Sequence, residues 1–235
     1  MSRSNQTSTS SNPSQRFLEW GGEEGILSYW DKDVKESITV KPPFTVMVLD
    51  ELSTITGYDG KNKCGVYSNE IKDTKTEVLT VKSFKGGEIA KGLYADIKDK
   101  IKAMGYKYSK SIYIAYKDGK DLKIGNMKFS GAALNAWIDF SGNHKDAIRS
   151  KAVKLTGSEQ HTTGKVNYFT PVFAIQDITP ETDSQAIELD KQLQAYFKEY
   201  FGKGDTNTPT EQNPAVDSLK RAFDAKEIVS DDLPF

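Results

Sequence analysis

A chain of 235 residues that is 37% apolar and 28% charged can build one good core and, with its polar ends set aside, a single elaborated domain. One cysteine, Cys64, excludes an internal disulfide framework. Two histidines leave no recognisable zinc-ligand spacing, and no apolar run approaches the roughly 20 residues of a membrane helix or the core of a signal peptide. These absences predict a soluble protein of a reducing cytoplasm, with no cofactor and no membrane partner.

Residues 1–15 are Ser, Thr, Asn and Gln with little to bury, and they predict a disordered tail. From residue 16 the pattern is globular. Ile26–Trp30 and Ser37–Val40 read as strands around an Asp31-Lys32-Asp33 turn, and Phe44–Leu49 as a β-branched strand. Thr54–Tyr58 and Cys64–Ser68 flank a Gly-containing turn and predict a hairpin. Glu77–Phe84 alternates and closes at Gly86-Gly87. Ile89, Leu93, Ile97 and Ile101 recur every four residues with Gly105 beyond them, predicting an amphipathic helix over 88–104.

Tyr106–Tyr116 and Leu122–Phe129 read as strands joined at Asp118-Gly119, followed by a short helix around Ala132–Phe140. Lys151–Leu155 and Lys165–Ile178 read as the last strand pair, with a loop over 157–164 between them. Thr179-Pro180 supplies a capping hydroxyl and a first-turn proline for a helix that points Ala186, Leu189, Leu193, Tyr196, Phe197 and Tyr200 inward and ends at Gly202. Residues 202–229 read as a polar linker, with a marginal helix at 215–226. The chain closes on Ser230-Asp231-Asp232-Leu233-Pro234-Phe235. This order predicts a mainly β fold with added helices, an oligonucleotide-binding-type barrel over 16–201 carrying an inserted helix and a C-terminal helix. An open sheet with the helices on one face is the competing architecture.

The 32 basic and 33 acidic residues are unevenly spread. Residues 202–235 hold four basic against seven acidic side chains, whereas 98–128 hold nine lysines against Asp99, Asp118 and Asp121. Aromatic rings accompany the cations in Tyr106-Lys107-Tyr108, Tyr113–Lys117, Lys128-Phe129, Lys82–Lys85 and Lys165–Phe169. Cations that follow phosphates beside rings that stack on bases are the composition of a sequence-tolerant single-strand groove. Strand parity places Ile112 and Ile114 in the core and Tyr113 on a polar face with Lys107, Ser111 and Lys117. It leaves open which face of Leu122–Phe129 is presented, and it turns Val66 in and Tyr67 out. The expected groove residues are Tyr67, Lys82, Lys85, Lys107, Tyr113, Lys117, Lys123, Phe129, Lys151, Lys154, Lys165 and Tyr168. Trp30, Trp137 and Phe140 are read as core.

For an enzyme, only His144 and His161 offer imidazole bases, each in a loop-like stretch without a nucleophile elbow, phosphate loop or metal spacing. A metal-dependent nuclease built on Asp50, Glu51 and Asp59 is the one alternative with raw material, and adjacent strand residues point to opposite faces.

The final Asp231-Asp232-Leu233-Pro234-Phe235 resembles the acidic tip of bacterial single-stranded DNA-binding proteins, and with the body and linker the whole is similar to their divergent phage-encoded kinds. The resemblance implies a non-enzymatic protein that coats single-stranded DNA in replication, recombination and repair. Through those five residues it would recruit replication or recombination proteins. It leaves homo-oligomer formation open, because the body is longer than the compact bacterial type. A replication-complex adaptor that binds no nucleic acid and an RNA-binding barrel are the alternative functions.

Overall fold

In the computed structural model, residues 11–202 are described. In chain order they form β1 (Arg16–Gly21), β2 (Ile26–Asp31), β3 (Glu36–Val40), β4 (Phe44–Asp59), β5 (Cys64–Ser68), β6 (Leu79–Ser83), β7 (Gly87–Gly92), α1 (Tyr94–Ala103), β8 (Lys107–Asp118) and β9 (Asp121–Ser130). There follow α2 (Gly131–Asn143), a 3-10 turn at Ala147–Arg149, β10 (Ala152–Thr163), β11 (Val166–Gln176) and α3 (Pro180–Gly202). The linker and tip expected at 202–235 lie outside the described residues, apart from Gly202 at the end of α3.

All eleven strands belong to one sheet in the order β3-β2-β1-β9-β8-β4-β5-β6-β7, with β10 joined to β4 and β11 to β10. The sheet is open: β3 and β7 end it on opposite sides, so the closed barrel expected from the sequence is not formed. The cause is β4, whose 16 residues take more than one neighbour along one edge. Phe44–Val46 pair with β10, while Thr56–Asp59 pair with β5, so the sheet forks. A bulge between Val48 and Asp50 bends the strand between the two branches.

Both faces of the sheet's centre are covered, whereas the competing open-sheet architecture put the helices on one face. Even-numbered residues of β8 face α2 and the β10–β11 hairpin: Ile112, Ile114 and Tyr116 pack with Leu18, Leu27, Met127, Phe129, Trp137 and Leu155. Odd-numbered residues face α3: Tyr113 and Ala115 pack with Leu52, Ile124, Leu193, Phe197 and Ala186. A third cluster gathers Ile55, Val66, Leu79 and Val81 beneath Ile97 and Ile101 of α1. Fully burying a side chain of this size contributes about 1.5–3 kcal/mol, so α3 with its Leu193, Tyr196 and Phe197 is a structural wall and not an appendage.

Three local expectations change. The helix expected over 88–104 is β7 and then α1, because Ile89 reaches the same cluster from a strand as Ile97 does from the helix. The loop expected at 157–164 is mostly strand, extending β10 and β11 into a long hairpin. The last part of the expected N-terminal tail is tied down: Gln15 N–H donates to the Ile124 carbonyl (2.7 Å) and Asn12 Nδ2 to Tyr113 Oη (3.3 Å). No described helix is long and apolar enough to cross a membrane.

The hydroxyl of Tyr116 is buried with no hydrogen-bond partner among the described residues. Burial pushes its pKa up to about 12 despite the Arg16 guanidinium near its ring. A buried polar atom without a partner costs its desolvation and returns nothing. Tyr116→Phe is therefore expected to leave the urea midpoint unchanged or to raise it; a loss of about 1 kcal/mol or more would show that the hydroxyl has found a partner.

Candidate functional site

Cross-strand register decides which of the expected groove residues meet. Tyr67 is paired with Thr56 on one side and with Lys82 on the other, and Thr56 is paired with Lys107. Directly paired residues share a face, so Lys82, Tyr67, Thr56 and Lys107 form one row across β6, β5, β4 and β8. It lies on the face that carries α3, beyond that helix's hydrophobic footprint. Three expected groove residues from separate stretches of sequence thus lie side by side, and Lys85 sits exposed in the turn that follows β6.

Tyr58 is on the same face two residues along β4 from Thr56, opposite Gly65, whose carbonyl accepts the Phe84 N–H at 3.2 Å. On the other side of the row the floor is made of small hydroxyl residues. Thr56 and Ser109 share a hydrogen bond (3.0 Å), and Asn126 Nδ2 donates to Ser111 Oγ (2.7 Å). Lys128 is paired with Ser111 and with Glu19 of β1. The result is a groove of ≈ 420 Å³ with Thr56, Gly57, Ser109 and Ser130 among its lining, flanked by Trp20, Tyr58, Met104, Lys107 and Lys128. Two lysines against one glutamate give it a modest positive balance.

Trp20, Tyr58 and Met104 are groove residues that the sequence reading does not anticipate, and Lys128 belongs to the face of Leu122–Phe129 that strand parity leaves open. Tyr58 shares the parity of Thr54 and Thr56, a signal present in the sequence. Trp20 has inward parity and lines the groove just past Glu19, where the pairing of β1 with β9 stops, its indole N–H donating to the Phe169 carbonyl at 3.0 Å.

The other expected groove residues lie elsewhere or face inward. Tyr67 points away from Val66 as expected, yet it is 8% exposed and its ring packs on Phe84 with centroids 4.6 Å apart. Tyr113 is fully buried rather than presented, because α3 lies on its face. It meets Phe197 edge-on at 5.0 Å, and its hydroxyl donates to Glu70 at 2.6 Å. Burial holds its phenol well above the usual range. Phe129 is likewise fully buried, between Trp137 and Phe173.

Lys117 is exposed at the far end of β8, about 33 Å along the strand from Lys107. Lys123 is ion-paired with Asp118 at 2.7 Å, which holds that carboxyl below its ordinary range. Lys151 pairs with Asp177 at 2.7 Å, and Lys154 is half-buried where β10 crosses Thr45. Lys165 and Tyr168 are at the distal end of the β10–β11 hairpin.

The carboxylates of the nuclease alternative are dispersed. Asp50 accepts from Gln194 Nε2 (3.1 Å), whereas Glu51 on the other face accepts the Trp137 indole N–H (3.1 Å). Asp59 closes its turn by accepting from the Lys61 and Asn62 amides. Among the described residues no three His, Cys, Asp or Glu side chains gather as a metal site. His144 stacks on Phe140, and His161 shares a hydrogen bond with Thr170 Oγ1 (2.8 Å).

Burial raises the pKa of Glu51 above 4.5, against the pull of Lys110 and the Trp137 hydrogen bond. A carboxyl whose folded pKa is raised supports the fold in its protonated form. That contribution is complete below the unfolded pKa near 4.5 and is lost as pH rises through the higher folded value. Glu51→Gln keeps an acceptor for the indole, so its melting temperature relative to the parent is expected to climb as pH is raised from 4 towards neutrality. A difference independent of pH would show that Glu51 titrates normally.

No protein-family model matches the chain, and no curated protein or solved structure is significantly similar to it.

Proposed function

We propose that the protein is a non-enzymatic, sequence-tolerant binder of single-stranded DNA, working in replication, recombination and repair, with an acidic tip that recruits partner proteins. The observation that carries this reading is the Lys82–Tyr67–Thr56–Lys107 row beside a groove edged by Lys107, Lys128, Trp20 and Tyr58. Cations along a sheet with the half-buried rings of Trp20 and Tyr58 beside them suit phosphates and base faces together, without reading base edges. An oligonucleotide-binding-type fold is supported by one further feature. The β10–β11 hairpin arches over the Ile112–Phe129 core and returns to the β1–β2 turn, where Phe169 N–H donates to the Gly22 carbonyl at 2.7 Å.

Scatter of the other lysines expected in the groove is what the adaptor alternative anticipates, with the same surface taking a protein. Competition among single-stranded DNA, RNA and duplex for the purified full chain over a salt series separates these readings. Tight, steeply salt-dependent binding that prefers single-stranded DNA is expected. No binding at low salt, or equal affinity for duplex, sinks the proposal. A preference for RNA moves it to the RNA-binding alternative.

Residues 227–235 add the side-chain carboxylates of Glu227, Asp231 and Asp232 against no lysine or arginine. Their removal is expected to leave single-strand affinity equal or higher, as a competing anion is lost, while abolishing capture of partner proteins through Leu233, Pro234 and Phe235. Weaker DNA binding by the truncated chain would refute that division of labour.

A further inference from the structure

The strand edges of the sheet are unequally guarded. β3 and β7 are only five and six residues long and carry charges, Glu36 on the first and Glu88 and Lys91 on the second. The distal edge of β11 is met by the β1–β2 turn through Phe169, whose N–H and carbonyl bond Gly22 and Trp20. A longer edge is left open at the distal part of β10. This strand pairs with β4 only through Val153–Leu155, and Gly157–Thr163 have a strand neighbour on one side alone among the described residues. These seven residues contain no lysine, arginine or proline, the usual devices that keep an open edge from pairing, and their one acid is Glu159.

We infer that this edge pairs with the same edge of a second copy of the chain, antiparallel, about a two-fold axis through Gln160. The symmetry leaves few registers. Two copies extending one sheet across a two-fold axis keep their faces aligned, so opposed residues must have the same parity and the axis must pass through a residue position. An axis at Glu159 sets like charges against each other, and one at His161 opposes two imidazoles and leaves Glu159 facing Thr163. An axis at Gln160 sets each Glu159 against the other copy's His161, twice.

The side chains are arranged for that contact. His161 stacks on Tyr168 with ring centroids 5.2 Å apart, and Nε2 is held by Thr170 Oγ1 at 2.8 Å, which fixes the ring and leaves its other nitrogen for a carboxylate. Glu159 shares that hairpin face and is exposed. On the opposite face the two Gln160 amides meet at the axis, where paired amides can bond each other. The assembly leaves the DNA-binding row on another part of the sheet, so this inference does not depend on the proposed function.

Sedimentation of the DNA-free full chain tests it. The parent is expected to have the mass of two chains. Glu159→Lys and His161→Glu, each shown to be folded by circular dichroism, are each expected to be monomeric, because the first opposes two cations or a cation and a neutral ring and the second opposes two acids. An equimolar mixture of the two variants is expected to dimerise, since opposite charges then face each other at both contacts. A monomeric parent overturns the inference. So does a dimer indifferent to both substitutions, or a mixture that stays monomeric.

Discussion

Replacing Lys107 and Lys128 together by alanine is expected to weaken binding of a single-stranded oligonucleotide about 100-fold at low salt. The figure follows from roughly 1.5 kcal/mol for each charge-assisted hydrogen bond to phosphate that is removed. The slope of log affinity against log salt should flatten by about 1.4, because each phosphate contact on a single strand accounts for about 0.7 of it. Both lysines border the same groove, and the backbone beneath them is held by strand pairing on both sides of β8 and β9. The fold should therefore survive their removal. The matching control replaces Lys117 and Lys151, which lie off the row. If those changes reduce affinity and flatten the slope as much as the first pair, the binding surface is somewhere other than this face.

Phe129→Ala is expected to destabilise the protein by about 3–5 kcal/mol, a large fraction of the roughly 5–15 kcal/mol that holds a domain together. Its ring is fully buried, 6.0 Å from Trp137 and 5.7 Å from Phe173 between centroids. Truncation leaves a cavity where a strand, a helix and the long hairpin meet. Lys128→Ala, one residue earlier and on the other face, should stay within about 0.5 kcal/mol of the parent. Urea denaturation followed by tryptophan emission measures both. Parental stability in Phe129→Ala would mean that the ring is presented to solvent, as its Lys128-Phe129 setting in the sequence suggests.

That contrast shows what one-dimensional pattern contains. Alternation puts Ile112, Ile114 and Val66 inward, and the structure buries all three. Capping and period locate α3 and most of its inward residues, and turn chemistry locates the β4–β5 and β8–β9 hairpins. Tyr113 departs from its expected exposure because parity reports which side of a strand a residue is on, not what covers that side. The cover is α3, whose Phe197 is far along the chain. Most of the candidate groove is illegible in the sequence for a related reason. Lys82, Tyr67 and Lys107 become neighbours through register across four strands, which no local window contains. The Ile89–Ile101 stripe misleads in the opposite sense: a strand and a helix facing one cluster produce a continuous apolar repeat.

The parallel pairing of β1 with β9 sets Leu18 beside Met127, more than a hundred positions later in the chain. During synthesis at about 5–20 residues per second, the first meander would wait roughly 5–20 s for its partner strand to be made. Throughout that interval Leu18, Trp20, Leu27 and Tyr29 have no sheet to rest on. The nascent chain is thus most vulnerable at its beginning, and a chaperone that holds this segment until β9 emerges should raise the yield of folded protein more than one acting after release.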